Sequence, residues 1–289
     1  MKRTPGAYVQ LLQAHAIVTG AAQGVGLATC VRLAAHGCRV SMWDIDGAAA
    51  ARAAETVRAT VADAQVLPIA ADVTQAADVV RALEESRAAF AAVHVLINNA
   101  GHMAPGHFHE QPTSTWDLTL QVNCNAIVAL TRAVIDEMYA AGCGHIVNIR
   151  SAAGTIGVPG LAAYCASKWA VWGFSEALRA ESRRRGVMVS SVHPGYIADG
   201  MFAGAKLTGL AGLLVPRLRS HDVVAKAVVE AALVRGRTRV LRPRTLRLVL
   251  LLRGLLPAPW FTGFLRVSGV AGSMDTWRGR AISSSKKQS

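Results

Sequence analysis

The sequence predicts a doubly wound α/β fold, a parallel sheet with helices on both faces, and three observations carry that expectation. Short β-branched runs alternate with Ala-rich stretches from residue 14 to about 242, the order expected of stacked βαβ units. The runs are short and mostly apolar, as strands covered on both faces should be. The first run leads directly into a Gly-rich turn and then a helix, Thr19-Gly20-Ala21-Ala22-Gln23-Gly24-Val25-Gly26, the arrangement of a Rossmann-type sheet.

In chain order the expected strands are Ala16–Thr19, Arg39–Trp43, Val66–Ala70, Val93–Ile97, His145–Ile149, Val187–Val192 and Thr238–Leu241. Helices are expected between them near 25–36, 47–62, 75–90, 115–141, 163–185 and 221–234. No repeat and no linker rich in Pro, Gly or Ser interrupts this stretch. With 289 residues, 52% of them hydrophobic, the chain can bury the core of one large domain. Beyond Pro243 the pattern changes to Arg-Leu mixtures, with Pro257 and Pro259 and a polar end. The expected division is a domain over 1–242 and a basic, apolar extension over 243–289.

The net charge of +13 is concentrated at that end. Residues 235–289 hold ten Arg and two Lys against one acid, Asp275, a net of +11 that leaves +2 for residues 1–234. The body therefore has ordinary charge, and no nucleic-acid-reading module accompanies the basic end, so nucleic acid is not expected as a partner. Cys30, Cys38, Cys124, Cys143 and Cys165 form no C-x-x-C pair and no metal-ligand spacing, which suits a reducing cytoplasm and argues against a disulfide framework or a structural zinc. His102, His107 and His109 cluster in one loop without a carboxylate partner, and no metal site is expected there. Pro5, Gly6 and Gln10 break the start where a secretion signal needs an unbroken apolar stretch.

Gly20, Gly24 and Gly26 let the turn tighten and bring backbone N–H groups and a helix N-terminus toward a pyrophosphate. Thr19, Gln23 and Val25 belong to the same turn. Asp44 ends the second strand 18 residues after Gly26, where a carboxylate accepts from ribose hydroxyls and repels a 2′-phosphate. NAD is therefore the expected cofactor in preference to NADP. Asp72, with Val73 beside it, either reaches the adenine or caps the helix that follows. Asp46 reads as a solvated strand-end residue.

Tyr164 and Lys168 are four apart on one helix and share a face. A free phenol is a poor base at neutral pH, and a neighbouring ammonium favours the phenolate. Ser151 follows the fifth strand at the carboxyl edge of the sheet, where its hydroxyl can donate to a substrate oxygen.

At these residues the chain resembles the short-chain dehydrogenase/reductase family, of the type with a T-G-x-x-x-G-x-G turn and a Y-x-x-x-K pair. The resemblance covers about residues 14–242 and includes Thr19 to Gly26, Asp72, Asn98-Asn99-Ala100-Gly101, Asn123, Ser151, Tyr164 with Lys168, and Pro194-Gly195. It implies an NAD-dependent oxidoreductase that interconverts an alcohol and a carbonyl. Tyr164 would transfer the proton and Ser151 polarise the substrate oxygen. Lys168 would lower the tyrosine pKa and hold the ribose, and Asn123 would anchor a water-mediated proton relay. Asn99, Ala100 and Gly101 would line the cofactor cleft, with Pro194, Gly195 and the backbone of Ile197 near the nicotinamide. One departure stands out: Asp199 occupies a position where family members usually have Thr. The resemblance also implies a homodimer or homotetramer through the helices at 115–141 and 163–185.

The lid expected at about 196–216 is rich in Ala, Gly, Leu and Met, which suits an apolar, lipid-, sterol- or retinoid-like alcohol or ketone. Two readings of the extension stand side by side. Arg242–Arg253, with Trp260 and Phe261, suits peripheral contact with an anionic membrane surface, or it folds over the protein's own core or a partner subunit with its Arg heads in water. Leu248–Leu252 is too short to span a bilayer, and Arg253, Pro257 and Pro259 prevent one continuous helix. A catalytically weak dinucleotide-binding regulator, or a membrane-surface scaffold of the same fold, is the competing functional class.

Overall fold

A computed structural model describes residues 9–197 and 218–269. Seven parallel strands form one sheet in the order β3-β2-β1-β4-β5-β6-β7. They are β1 (His15–Thr19), β2 (Arg39–Asp44), β3 (Val66–Ala70), β4 (Val95–Asn98), β5 (Gly144–Ile149), β6 (Val187–Pro194) and β7 (Arg239–Arg242). The helices are α1 (Gly24–Ala35), α2 (Gly47–Thr60), α3 (Ala76–Phe90), α4 (Thr113–Leu120), α5 (Ala126–Ala141), α6 (Ala162–Ser182), α7 (His221–Lys226), α8 (Leu246–Leu255) and α9 (Ala258–Val267). The strand order reverses between β1 and β4, which opens a crevice at the carboxyl edge where open α/β sheets bind ligands.

Alternate residues of the central strands point to opposite faces. Ala16, Val18 and Met42 meet α1, α2 and the π-helical turn Ala227–Val234 that continues α7. Ile17 and Trp43 join Val79 and Leu83 of α3 with Leu130 and Val134 of α5 on the other face. Both faces of β1, β4 and β5 are fully buried, so these strands need no polar side.

The helix expected over 115–141 is broken into α4 and α5 by a π turn, Gln121–Asn125. The run Thr113–Ala141 is long and apolar enough to cross a membrane, yet Ile127, Leu130, Val134, Ile135 and Met138 are buried within the protein, as befits a core helix. The fourth strand starts at Val95 rather than Val93, because Val93 is buried but precedes the paired residues.

The described part of the extension, up to Gly269, folds as two helices separated at Leu256–Pro257. Val249 and Phe261 pack into one apolar cluster with Ile156, Leu161 and Tyr164. Arg253 lies over the Trp169 ring, 3.9 Å from its centroid, and donates to the Thr155 carbonyl. Of its two expected placements, the inner face thus takes the one against the protein's own core. Most of the expected lid, with Asp199, lies outside the described residues.

Candidate active site

Gly20 and Gly24 adopt φ of +62° and +60°, a region that suits glycine. Gly26 has a different reason for being glycine: a Cβ there would stand 2.0 Å from the Gly20 carbonyl oxygen. The turn is bolted to β4 by Thr19, whose hydroxyl accepts from the Asn99 and Ala100 N–H groups at 3.0 Å each. Asn99 Nδ2 in turn donates to the Thr19 and Gly20 carbonyls. Thr19 and Gly26 therefore shape the cradle from behind it. No side chain caps α1, and its first turn contains no acid, so free N–H groups and the positive helix end face the cleft.

The cleft holds about 720 Å³ and runs from Asp44, Asp72 and Val73 past Gly20, Gln23, Gly24 and Val25 to Ser151, Tyr164 and Lys168. Asn99, Ala100 and Gly101 form one wall, and Pro194, Gly195 and Ile197 lie along the other. Asp44 is fixed by two backbone groups, accepting from Ala22 N at 2.9 Å and from Asp46 N at 3.2 Å. Asp46 is more than solvated: it caps α2 by accepting from Ala49 N. Asp72 lines the cleft and does not cap α3. It accepts from the backbone and hydroxyl of Thr74, while Gln75 occupies the N-cap of α3.

Asn123 is fully buried in the π turn, behind the wall rather than in the cleft. Its Oδ1 accepts from His102 N, and its Nδ2 donates to the His102 carbonyl and the Ser167 hydroxyl. Ser167 itself donates to the Tyr164 carbonyl. Through these bonds Asn123 ties the loop after β4 to the helix that holds Tyr164, the work of a positioning residue.

Tyr164, Lys168 and Ser151 are almost wholly inaccessible. Burial pushes the Tyr164 phenol up to about 12, with a hydrogen bond from Ser151 pulling the other way. Burial first, and then the charge of Arg150, brings Lys168 down to about 8. The Lys168 Nζ lies 5.7 Å from the Tyr164 ring centroid and donates to the Ile149 carbonyl at 3.2 Å. In so dry a site desolvation disfavours both charged forms more than one neighbouring charge repairs. Tyr164 thus stands as a protonated donor at neutral pH, beside Ser151 at the sheet edge.

Two residues of this site escaped the sequence reading. Arg150 is buried, yet its guanidinium meets backbone carbonyls and an imidazole rather than an acid. It donates to the Lys168 carbonyl at 3.0 and 2.8 Å and to the Gly154 carbonyl at 2.7 Å, and it lies 3.1 Å from His193 Nδ1. Burial lowers Arg150 to about 9, and burial with the Arg150 charge holds His193 neutral. The second is His221 at the start of α7, which lines the cleft beside Gly24. Arg32 of α1 grips Asp222 through two 2.7 Å bonds and so fixes that helix end over the turn.

Among the described residues no group of His, Cys, Asp or Glu is placed to hold a metal ion. His107 and His109 stack on each other, and His102 Nδ1 meets the Thr119 hydroxyl.

Residues 14–208 match the family model described as short chain dehydrogenase. The chain belongs to the short-chain dehydrogenase/reductase family. Among its relatives in this family, 2-(S)-hydroxypropyl-CoM dehydrogenase 3 of Xanthobacter autotrophicus is 32% identical over 236 residues, covering 76% of this chain and 91% of that protein. Human epidermal retinol dehydrogenase 2 is 31% identical over 264 residues, covering 90% and 83%. A short-chain dehydrogenase/reductase from Burkholderia phymatum, solved in complex with NAD, superposes with a TM-score of 0.74 at 26% identity, covering 85% of this chain and 94% of that one. A metagenomic short-chain oxidoreductase solved with NADP gives 0.68 at 30% identity, covering 80% and 97%. The family makes this protein a dinucleotide-binding oxidoreductase, and its relatives include binders of both cofactors.

Proposed function

We propose that this enzyme interconverts an apolar alcohol and its carbonyl, with NAD preferred over NADP. The observation that carries the reading is the apolar cluster that Tyr164 shares with Leu161, Val249 and Phe261, which sets hydrocarbon beside the proton donor. Met103, Tyr196, Leu252 and Phe264 pack against the same cluster. Such a wall favours a lipid-, sterol- or retinoid-like substrate over a sugar.

A nicotinamide dinucleotide fits the cleft by the uncapped α1 terminus and the glycines that a Cβ would block, and when bound it supplies the hydride acceptor or donor. Gly20, Gln23, Gly24 and Val25 would hold its phosphates, with His221 beside Gly24. Asp44 would accept from the adenosine ribose, and Lys168 from its ammonium would hold the second ribose. At about 4 Å and an effective dielectric near 20, each unit charge of a 2′-phosphate facing Asp44 costs up to about 4 kcal/mol. Tyr164 passes its proton to the carbonyl oxygen in reduction and takes it back in oxidation, while Ser151 donates to that oxygen. The intact set of Ser151, Tyr164 and Lys168 favours an active enzyme over a binding-only regulator.

Free cysteines throughout the described residues suit a reducing, cytoplasmic compartment. The exposed small residues Ala166, Ala170, Gly173 and Ala177 on α6 suit close helix packing against a second copy.

The test is initial-rate turnover with NAD and with NADP on a panel running from short polar alcohols to retinol and long-chain secondary alcohols. NAD should exceed NADP by tenfold or more, and Asp44→Asn should narrow the gap. Equal use of both cofactors overturns the assignment of Asp44, and a preference for polar alcohols overturns the substrate class.

A further inference from the structure

Helix α8 is apolar on two opposite faces. Leu246 and Val249 are buried on the inner one, whereas Leu248, Leu251 and Leu255, spaced three and four apart, form a stripe on the outer one and are 48, 57 and 71% exposed. On α9, Phe261 is buried while Trp260 and Val267 are 71 and 86% exposed. A helix that is apolar all round normally has protein or lipid on every side. A contiguous exposed apolar patch marks an interaction surface.

The charge beside this patch identifies its partner. From 235 to 269 the chain contains eight Arg and no Asp or Glu. Arg244, Arg247 and Arg266 are exposed in the same segment as the exposed leucines and Trp260. A second copy docked through the same face would set arginines against their own equivalents with no acid to pair them, as a two-fold contact presents the same patch twice. An anionic bilayer supplies the opposite charge over the whole face and hydrocarbon for the leucine stripe, with Trp260 at the headgroup level.

We propose that the outer face of α8 and α9 docks on an anionic lipid surface and that the apolar substrate reaches the cleft from that bilayer. The route rests on the apolar substrate class assigned above; the docking does not. Geometry favours the route, since the inner face of the same two helices belongs to the Tyr164 cluster. Only one helix diameter, about 10 Å, separates the lipid-facing surface from that cluster.

The test is co-sedimentation of the full chain with vesicles of phosphatidylcholine and phosphatidylglycerol in equal parts, beside vesicles of phosphatidylcholine alone. Binding is expected to the anionic vesicles and to fall at least tenfold as the Debye length shrinks from about 10 Å at 0.1 M salt to about 3 Å at 1 M. Leu251→Glu with Trp260→Glu should abolish pelleting, and Arg244→Gln with Arg247→Gln should weaken it by on the order of twentyfold, near fivefold for each arginine. Both double variants should turn over a small water-soluble alcohol like the parent, which shows that they fold.

Equal pelleting by parent and Leu251→Glu/Trp260→Glu overturns the proposal, as does parental protein that stays in the supernatant with anionic vesicles. A parental oligomer in light scattering that becomes monomeric in that variant, without vesicle binding, assigns the face to a second copy and also overturns it. Vesicle binding by an enzyme that prefers polar alcohols would leave the docking standing and remove the substrate class instead.

Discussion

Replacing Arg150 with methionine keeps most of the side chain's volume and removes a buried positive charge. Two effects on stability oppose each other. The Lys168 and Gly154 carbonyls lose their charged donors, at about 1–3 kcal/mol for each buried acceptor left unpaired. Against this, burial holds Arg150 at about 9 instead of 12.5, so deleting the guanidinium relieves roughly 5 kcal/mol of desolvation. These nearly cancel, and the melting temperature is a poor readout.

The electrostatic effect has one sign. Arg150 faces Lys168 and Glu176 on α6, neutral His193 on β6 and Arg239 on β7, and removing a cation raises the proton affinity of each titrating neighbour. Lys168, held at about 8 by burial first and then by the Arg150 charge, should rise when that charge is removed. The kinetic pKa of alcohol oxidation, a property of the Tyr164–Lys168 pair, should move upward with it. The assay is kcat/KM against pH with NAD and a soluble secondary alcohol. Arg150→Lys, which keeps the charge but loses the planar fork, should keep the parental pKa with a lower plateau. A kinetic pKa in Arg150→Met that stays in place or falls refutes the argument.

Tyr164→Phe should lower turnover by at least about 100-fold, the usual minimum for loss of an acid/base group, with NAD affinity by calorimetry retained; Lys168→Met should lose both. Acid should unfold the protein through its buried imidazoles. Burial lowers His15 to about 4 and His145 to about 3 from 6.5, so below 6.5 the unfolded chain binds protons that the folded one refuses. Their stabilising contribution is complete above 6.5 and lost as pH falls toward 4 and 3, amounting to about 2 kcal/mol for each group by about pH 5. Urea midpoints at pH 7 and pH 5 check this, and equal midpoints would contradict it.

The strands were legible within a residue or two because fully buried parallel strands read as continuous apolar runs bounded by turn residues. The cofactor cradle was legible for a similar reason, since close approaches such as that of Gly26 to Gly20 admit only one residue type. The π turn was not. One extra residue inside an apolar helical run leaves the period almost unchanged, and a buried Asn123 was its sole trace. Arg150 directly follows an expected strand with no motif to mark it, and only the packing of α6 against the Ser151 turn shows it clamped between them. His221 lies far from Gly24 along the chain, and the Arg32–Asp222 pair that joins α7 to α1 has no local signature. The extension's two readings could not be separated by periodicity, because α8 is apolar on both faces.

The cluster that joins Tyr164 to Val249 and Phe261 also orders the making of the protein. A chain emerging from its N-terminus has synthesised the glycine cradle, the Asn99–Gly101 wall and the Ser151–Lys168 set before its last sheet strand. The hydrocarbon wall beside Tyr164 does not exist until residues 246–267 have emerged. On the proposed function, the residues assigned to the cofactor are thus encoded early and the hydrocarbon assigned to the substrate late. Changes confined to the last two described helices would then alter what the enzyme accepts without touching the residues assigned to the proton.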